Sequence, residues 1–130
     1  MLRSEPPWPL SITVSAARDR VTVAYDNGTS HDLPAEYLRV ETPSAERKGH
    51  GRRMVVGGKA GVLVNAIEPV GRYAVRIVFS DGHDSGLYPF DTLHSLGEEQ
   101  PARWAAYERE LAAVNLDRTT PGIAPAPTSG

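Results

Sequence analysis

Two short segments hold most of the residues whose types could do chemistry. Residues 41–51 carry Glu46 and His50, and the turn at 81–84 carries His83. One carboxylate and two imidazoles suit a divalent ion of hard-to-intermediate character, provided the segments converge. In the alternative, His83 spends its ring on hydrogen bonds within a tight turn and His50 is solvated. His31 and His94 have no matched partner nearby in sequence and read as surface or packing residues. Arg47, Lys48, Arg52 and Arg53 form a basic cluster with glycines around it. Such a loop could bind phosphate, with backbone N–H groups joining the side chains, or an acidic partner. A run this short is also commonly just solvated.

Standard catalytic motifs are missing, so no catalytic residue is assigned. Val56-Gly57-Gly58-Lys59 has glycines and a lysine, but no Ser or Thr follows as a P-loop requires. There is no G-x-S-x-G elbow, no H-E-x-x-H and no EF-hand loop. The pairs His31-Asp32 and His83-Asp84 lack the His-x-Asp spacing of a non-haem iron triad. Acid–base chemistry by Glu46 or His83 is conceivable, yet no nucleophile–base pair accompanies them.

Composition narrows the classes further. The chain has 130 residues, which fits one domain, and no cysteine. Disulfides, thiol catalysis and thiolate zinc sites are thereby excluded. A net charge of -2 argues against nucleic-acid binding across the whole surface. No apolar run approaches a membrane span, and MLRSEPPWPL lacks a signal-peptide core, so a cytoplasmic location is expected.

The elements that must position these residues follow from periodicity. Leu10, Ile12 and Val14 alternate with polar residues, as do Val21, Val23 and Tyr25, which predicts strands. Asn27-Gly28 supplies a turn, with a returning strand over 29–33. Pro34–Val40 reads as a helical turn with Tyr37 and Leu38 inward. A short strand is expected at 54–56, two more over 62–68 and 73–79 joined through Pro69-Val70-Gly71, and a fourth over 85–88 after the Asp81-Gly82 turn. A helix over 89–96 stopped by Gly97 and a longer one over 101–116 close the domain. Trp104, Tyr107, Leu111 and Val114 fall on one face of the latter, as a core stripe does. Residues 1–8 and the Pro-rich 117–130 have no periodicity and read as a flexible and a disordered tail. The fold class is a small antiparallel, β-rich α+β domain with C-terminal helices.

Two stretches carry a family resemblance. LPAEYLRVETPSAERKGHG over 33–51 and IEPVGRYAVRIVFSDGHDSGLYPFDTLHSL over 67–96 resemble the gamma-butyrobetaine hydroxylase-like N-terminal domain family. The resemblance spans nearly all of the 9–116 unit. In the hydroxylases it implies a domain that precedes an oxygenase domain and holds a structural zinc. The implied ligands are three cysteines after the "LR" pair and the histidine of the "DGH" turn. Here the pair is Leu38-Arg39, and Thr42, Ser44 and about Arg47 stand where the cysteines would be. Only His83 matches, so the resemblance implies that this zinc site is absent. It also points to a stand-alone bacterial branch without the oxygenase half. Other relatives are fused to Mrp-type P-loop ATPases that carry iron–sulfur clusters.

Three functions are then open. The first is a non-catalytic binding or adaptor domain, accessory to iron–sulfur or metal cofactor handling. It would use Arg47, Arg52, Arg53, Asp81 and His83 toward a protein partner, with no cofactor. The second is a metal-binding domain built on Glu46, His50 and His83. The third is a small-molecule enzyme at the same loops. An exposed edge strand would in addition allow a homodimer.

Overall fold

The computed structural model describes residues 8–42 and 54–127. Among the described residues, three antiparallel sheets and three helices make up a small α+β domain. The first sheet joins β1 (Pro9–Val14), β2 (Arg20–Tyr25) and β3 (Ser30–Pro34). Val21, Val23 and Tyr25 all face inward and are almost fully buried, which is what their alternation requires. Gly28 takes φ +88° in the β2–β3 turn, a value glycine reaches without strain.

Helix α1 (Ala35–Val40) follows directly, and every one of its six residues is buried. The second sheet pairs β4 (Met54–Gly57) with β8 (Gly122–Pro125). The third joins β5 (Val64–Val70), β6 (Ala74–Phe79) and β7 (Gly86–Pro89). Helices α2 (Phe90–Glu98) and α3 (Gln100–Ala113) come next, separated only by Glu99. Among the described residues no helix is long and apolar enough to cross a membrane.

One core cluster lies between the two three-stranded sheets, with Leu33, Tyr37, Phe79, Tyr88, Leu93 and Leu96 nearly inaccessible. A second forms where α3 lays Tyr107 and Leu111 against Val40 and Val55. Buried tyrosines tie elements across these clusters through their hydroxyls. Tyr37 donates to the Leu96 carbonyl at 2.6 Å, Tyr88 to Leu38 at 2.6 Å and Tyr107 to Val56 at 2.5 Å. Each such bond satisfies a carbonyl that burial would otherwise strand.

Four expectations need correction. Residues 117–127 do not trail away, because Gly122–Pro125 completes the β4 sheet. The close approach depends on Gly57 and Gly58, where a Cβ would come within 2.5 Å of the Asp117 and Pro121 backbone. Arg118 then clasps the buried Glu36 with both arms, at 2.7 and 2.8 Å, and lies over the Trp104 ring. At the other end, Trp8 packs edge-on against Tyr73 and Phe90, so it belongs to the domain. The β5–β6 link is the Gly71–Tyr73 turn, since β5 continues through Val70.

The fourth correction concerns Gly97, which does not stop α2. The helix runs through it to Glu98. Glycine inside a helix costs about 1 kcal/mol against alanine, so another reason must hold it there. A Cβ at Gly97 would lie 2.3 Å from the His31 ring. The glycine is a packing residue that admits an imidazole.

Candidate functional site

The Asp81 turn is built on charge. Asp81 Oδ2 accepts from Arg39 Nε at 2.8 Å and from Lys59 Nζ at 2.6 Å, while Oδ1 accepts the His83 N–H at 3.1 Å. The Arg39 side chain is only 4% exposed, so the pair is largely out of water. Burial alone would push the Asp81 carboxyl up. The bonds from Lys59, the His83 N–H and Arg39 outweigh that and hold it down at about 2. Asp81 is therefore an anchored carboxylate that locks the β6–β7 turn onto α1.

His83 sits in this turn with its ring beside Phe79, and its Nε2 is 3.3 Å from Thr42 Oγ1. Thr42 is fully buried and also fills the space above Gly86. The ring thus reaches a side chain across the fold. Position 42 is one where the family resemblance implies a zinc thiolate, and it does meet the matching histidine. A neutral hydroxyl and one imidazole are a poor donor set for zinc, so this pair does not fit that ion. Glu46, His50, Arg47, Arg52 and Arg53 lie outside the described residues.

A second constellation was not foreseen. His31 on β3 meets His94 and Glu98, one turn apart on α2, and their ligand atoms all lie within 4.8 Å of one another. His31 Nε2 is 3.1 Å from Glu98 Oε2 but makes no hydrogen bond, and the atom is buried. The two imidazole centroids are 6.0 Å apart. Tyr25 on β2 stands edge-on to both, at 5.7 and 5.3 Å. Its hydroxyl is likewise buried and unpartnered, and burial followed by the Glu98 charge pushes its pKa up to about 12. The legible signal was the His94–Glu98 spacing of four on a helix, which places both on one face. Sequence proximity hid the third member, because β3 and α2 are distant in the chain.

The remaining ionic groups bind elements together. Glu41 pairs with Arg103 at 3.0 Å, and Arg76 on β6 pairs with Glu68 on β5. A groove of about 470 Å³ lined by Gly97, Gln100, Pro101, Trp104, Ala105 and Glu108 offers one carboxylate and no base.

A small α+β domain with an ion-locked "DGH" turn is the class these features define. The family follows from comparison. The model for "Gamma-butyrobetaine hydroxylase-like, N-terminal" matches residues 12–94, and the chain belongs to that family. Two NMR solution structures are similar at 41% and 39% identity, both with a TM-score of 0.77. The first covers 88% of this chain and 91% of its own, the second 91% and 89%. A crystal structure of a DUF971-family protein of unknown function from Acidithiobacillus ferrooxidans is 35% identical, with a TM-score of 0.61. It covers 72% of this chain and 98% of its own. No curated protein matches the chain.

Proposed function

We propose that the chain is a cytoplasmic, non-catalytic binding domain that docks on an acidic surface of a protein partner. The Thr42–His83 contact carries this reading. It places Thr42, the last described residue before position 43, beside the Asp81–Asp84 turn. In sequence, residues 43–53 carry Arg47, Lys48, Arg52 and Arg53 and a single acid, Glu46. A basic, glycine-containing stretch of sequence suits recognition of carboxylates, to which arginine bonds bidentately. Asp81 and His83 contribute the turn next to Thr42, with the Asp81 carboxylate already held by Arg39 and Lys59. Leu63 lies alongside, exchanging hydrogen bonds with Ser80, and adds exposed apolar area. The family's fusions to iron–sulfur carriers make such carriers the partner class to test first.

A photo-crosslinking residue at Leu63, used in lysate of the source cell, tests the reading. One captured protein is expected, displaced by excess unlabelled chain and captured less as salt rises. The unlabelled triple variant Arg47→Glu, Arg52→Glu, Arg53→Glu should fail to displace it. Equal displacement by that variant, or capture indifferent to salt, contradicts the proposal.

A further inference from the structure

The described residues contain two buried side-chain polar atoms without a hydrogen-bond partner, Tyr25 Oη and His31 Nε2. Both belong to the Tyr25–His31–His94–Glu98 constellation. Buried polar groups are normally satisfied, and each exception asks for an explanation such as an ion or water. The His31 exception lies beside a second imidazole and a carboxylate, the donors an ion would gather. We propose that His31, His94 and Glu98 form a binding site for a zinc-type divalent ion.

The donor chemistry fits. Two imidazole nitrogens and one carboxylate oxygen are common zinc ligands, and three protein ligands leave a fourth position for water or another donor. Ligands about 2.1 Å from a tetrahedral centre stand roughly 3.4 Å apart. The separation of 3.1 Å between His31 Nε2 and Glu98 Oε2 is close to that. The wider spacings, up to 4.8 Å, close by small rotations of side chains at the edge. Glu98 has the freedom for this, its side chain being 56% exposed, whereas His31 is held at 17%. One ligand is therefore fixed in the fold, and the entry side is open to solvent.

Gly97 adds an independent geometric argument. It sits within α2 between the two helical ligands and opposite the His31 ring, where a Cβ would collide at 2.3 Å. The absent side chain lets a strand imidazole lie against the helix turn that carries the other two donors. None of the three residues overlaps the ligand set implied by the family resemblance, of which only His83 is present. The site is also independent of the partner-docking reading, which uses residues 43–53 and the Asp81–Asp84 turn rather than β3 and α2.

Zinc chloride titrated into the untagged, chelator-stripped full chain tests the site by calorimetry. One equivalent is expected to bind. His94→Ala, at a half-buried position, and Glu98→Gln, at an exposed one, should keep the fold and each weaken binding by about 100-fold or more, as loss of a direct ligand must exceed second-shell effects. His83→Ala should bind as the parent does. Cobalt(II) in place of zinc should give the visible absorption of a four-coordinate centre, lost in His94→Ala. No binding by the parent, or binding lost in His83→Ala but retained in both other variants, overturns the assignment.

Discussion

The Asp81 turn and the His31 cluster each gather a histidine and a carboxylate, yet they are finished in opposite ways. At Asp81 the charge is neutralised by Arg39 and Lys59 and capped by a backbone N–H. At His31 a buried imidazole nitrogen lies at ion-pair distance from a carboxylate but out of hydrogen-bond geometry, and a tyrosine hydroxyl beside it has no hydrogen-bond partner. The first arrangement is complete and contributes to stability as it stands. The second costs free energy until something occupies it. Structural polar groups are satisfied within the chain, whereas polar groups kept for a ligand are satisfied by the ligand.

The largest difference between the two should appear on removing a charge. Asp81→Asn takes the carboxylate from a nearly buried guanidinium and should lower unfolding free energy by about 2–4 kcal/mol in urea titrations. Glu98→Gln, measured without metal, should stay within about 0.5 kcal/mol. Equal losses would erase the distinction.

Acid should act on the same side. The Asp81 carboxyl is held at about 2 in the folded chain, below its unfolded value near 3.8. A depressed folded value means that the stabilisation is present above about pH 4 and is lost as pH falls toward 2. Roughly 2 kcal/mol of stability should disappear over that window, and Asp81→Asn should show no such loss from this group. An identical acid limb in the variant would contradict the assignment.

Hydroxyl deletions sharpen the contrast. Tyr37→Phe strands the Leu96 carbonyl and should cost about 1–2 kcal/mol. Tyr25→Phe removes a hydroxyl that has no partner, so it should be neutral or slightly stabilising in metal-free protein. Chemical denaturation of both variants side by side decides the matter, and a costlier Tyr25→Phe would show that its hydroxyl already has a role.

A loss smaller than those at Asp81 and Tyr37 is expected at Gly97. Helix propensity alone predicts that Gly97→Ala stabilises by about 1 kcal/mol. The collision with His31 predicts a loss of about that size instead. Thermal unfolding gives the sign directly, and an increase in Tm would remove the packing role of this glycine.

How much of this was legible in the sequence depends on the range of the interaction. The β2 alternation, the helical Tyr37-Leu38 pair and the Asp81-Gly82 turn are local patterns, and each lies where its period or turn chemistry placed it. Strand β8 was hidden because Gly-Ile-Ala-Pro is short, with a proline on the strand itself. Its pairing comes from β4, far back in the chain, and from two glycines that let the backbones approach. Gly97 looked like a helix stop because a C-terminal glycine usually is one. Its actual cause, the His31 ring, sits on another element. The same distance concealed the site itself, since the His94–Glu98 pair on α2 gains its third member only when β3 brings His31 to it.

The chain has four histidines, which allows a site-resolved test of the central claim. Imidazole nitrogen shifts, recorded by NMR on untagged protein before and after one equivalent of zinc, report each ring separately. The account predicts large changes at His31 and His94, with His50 and His83 unmoved. Changes at His83 and His50 while His31 and His94 stay fixed would contradict it.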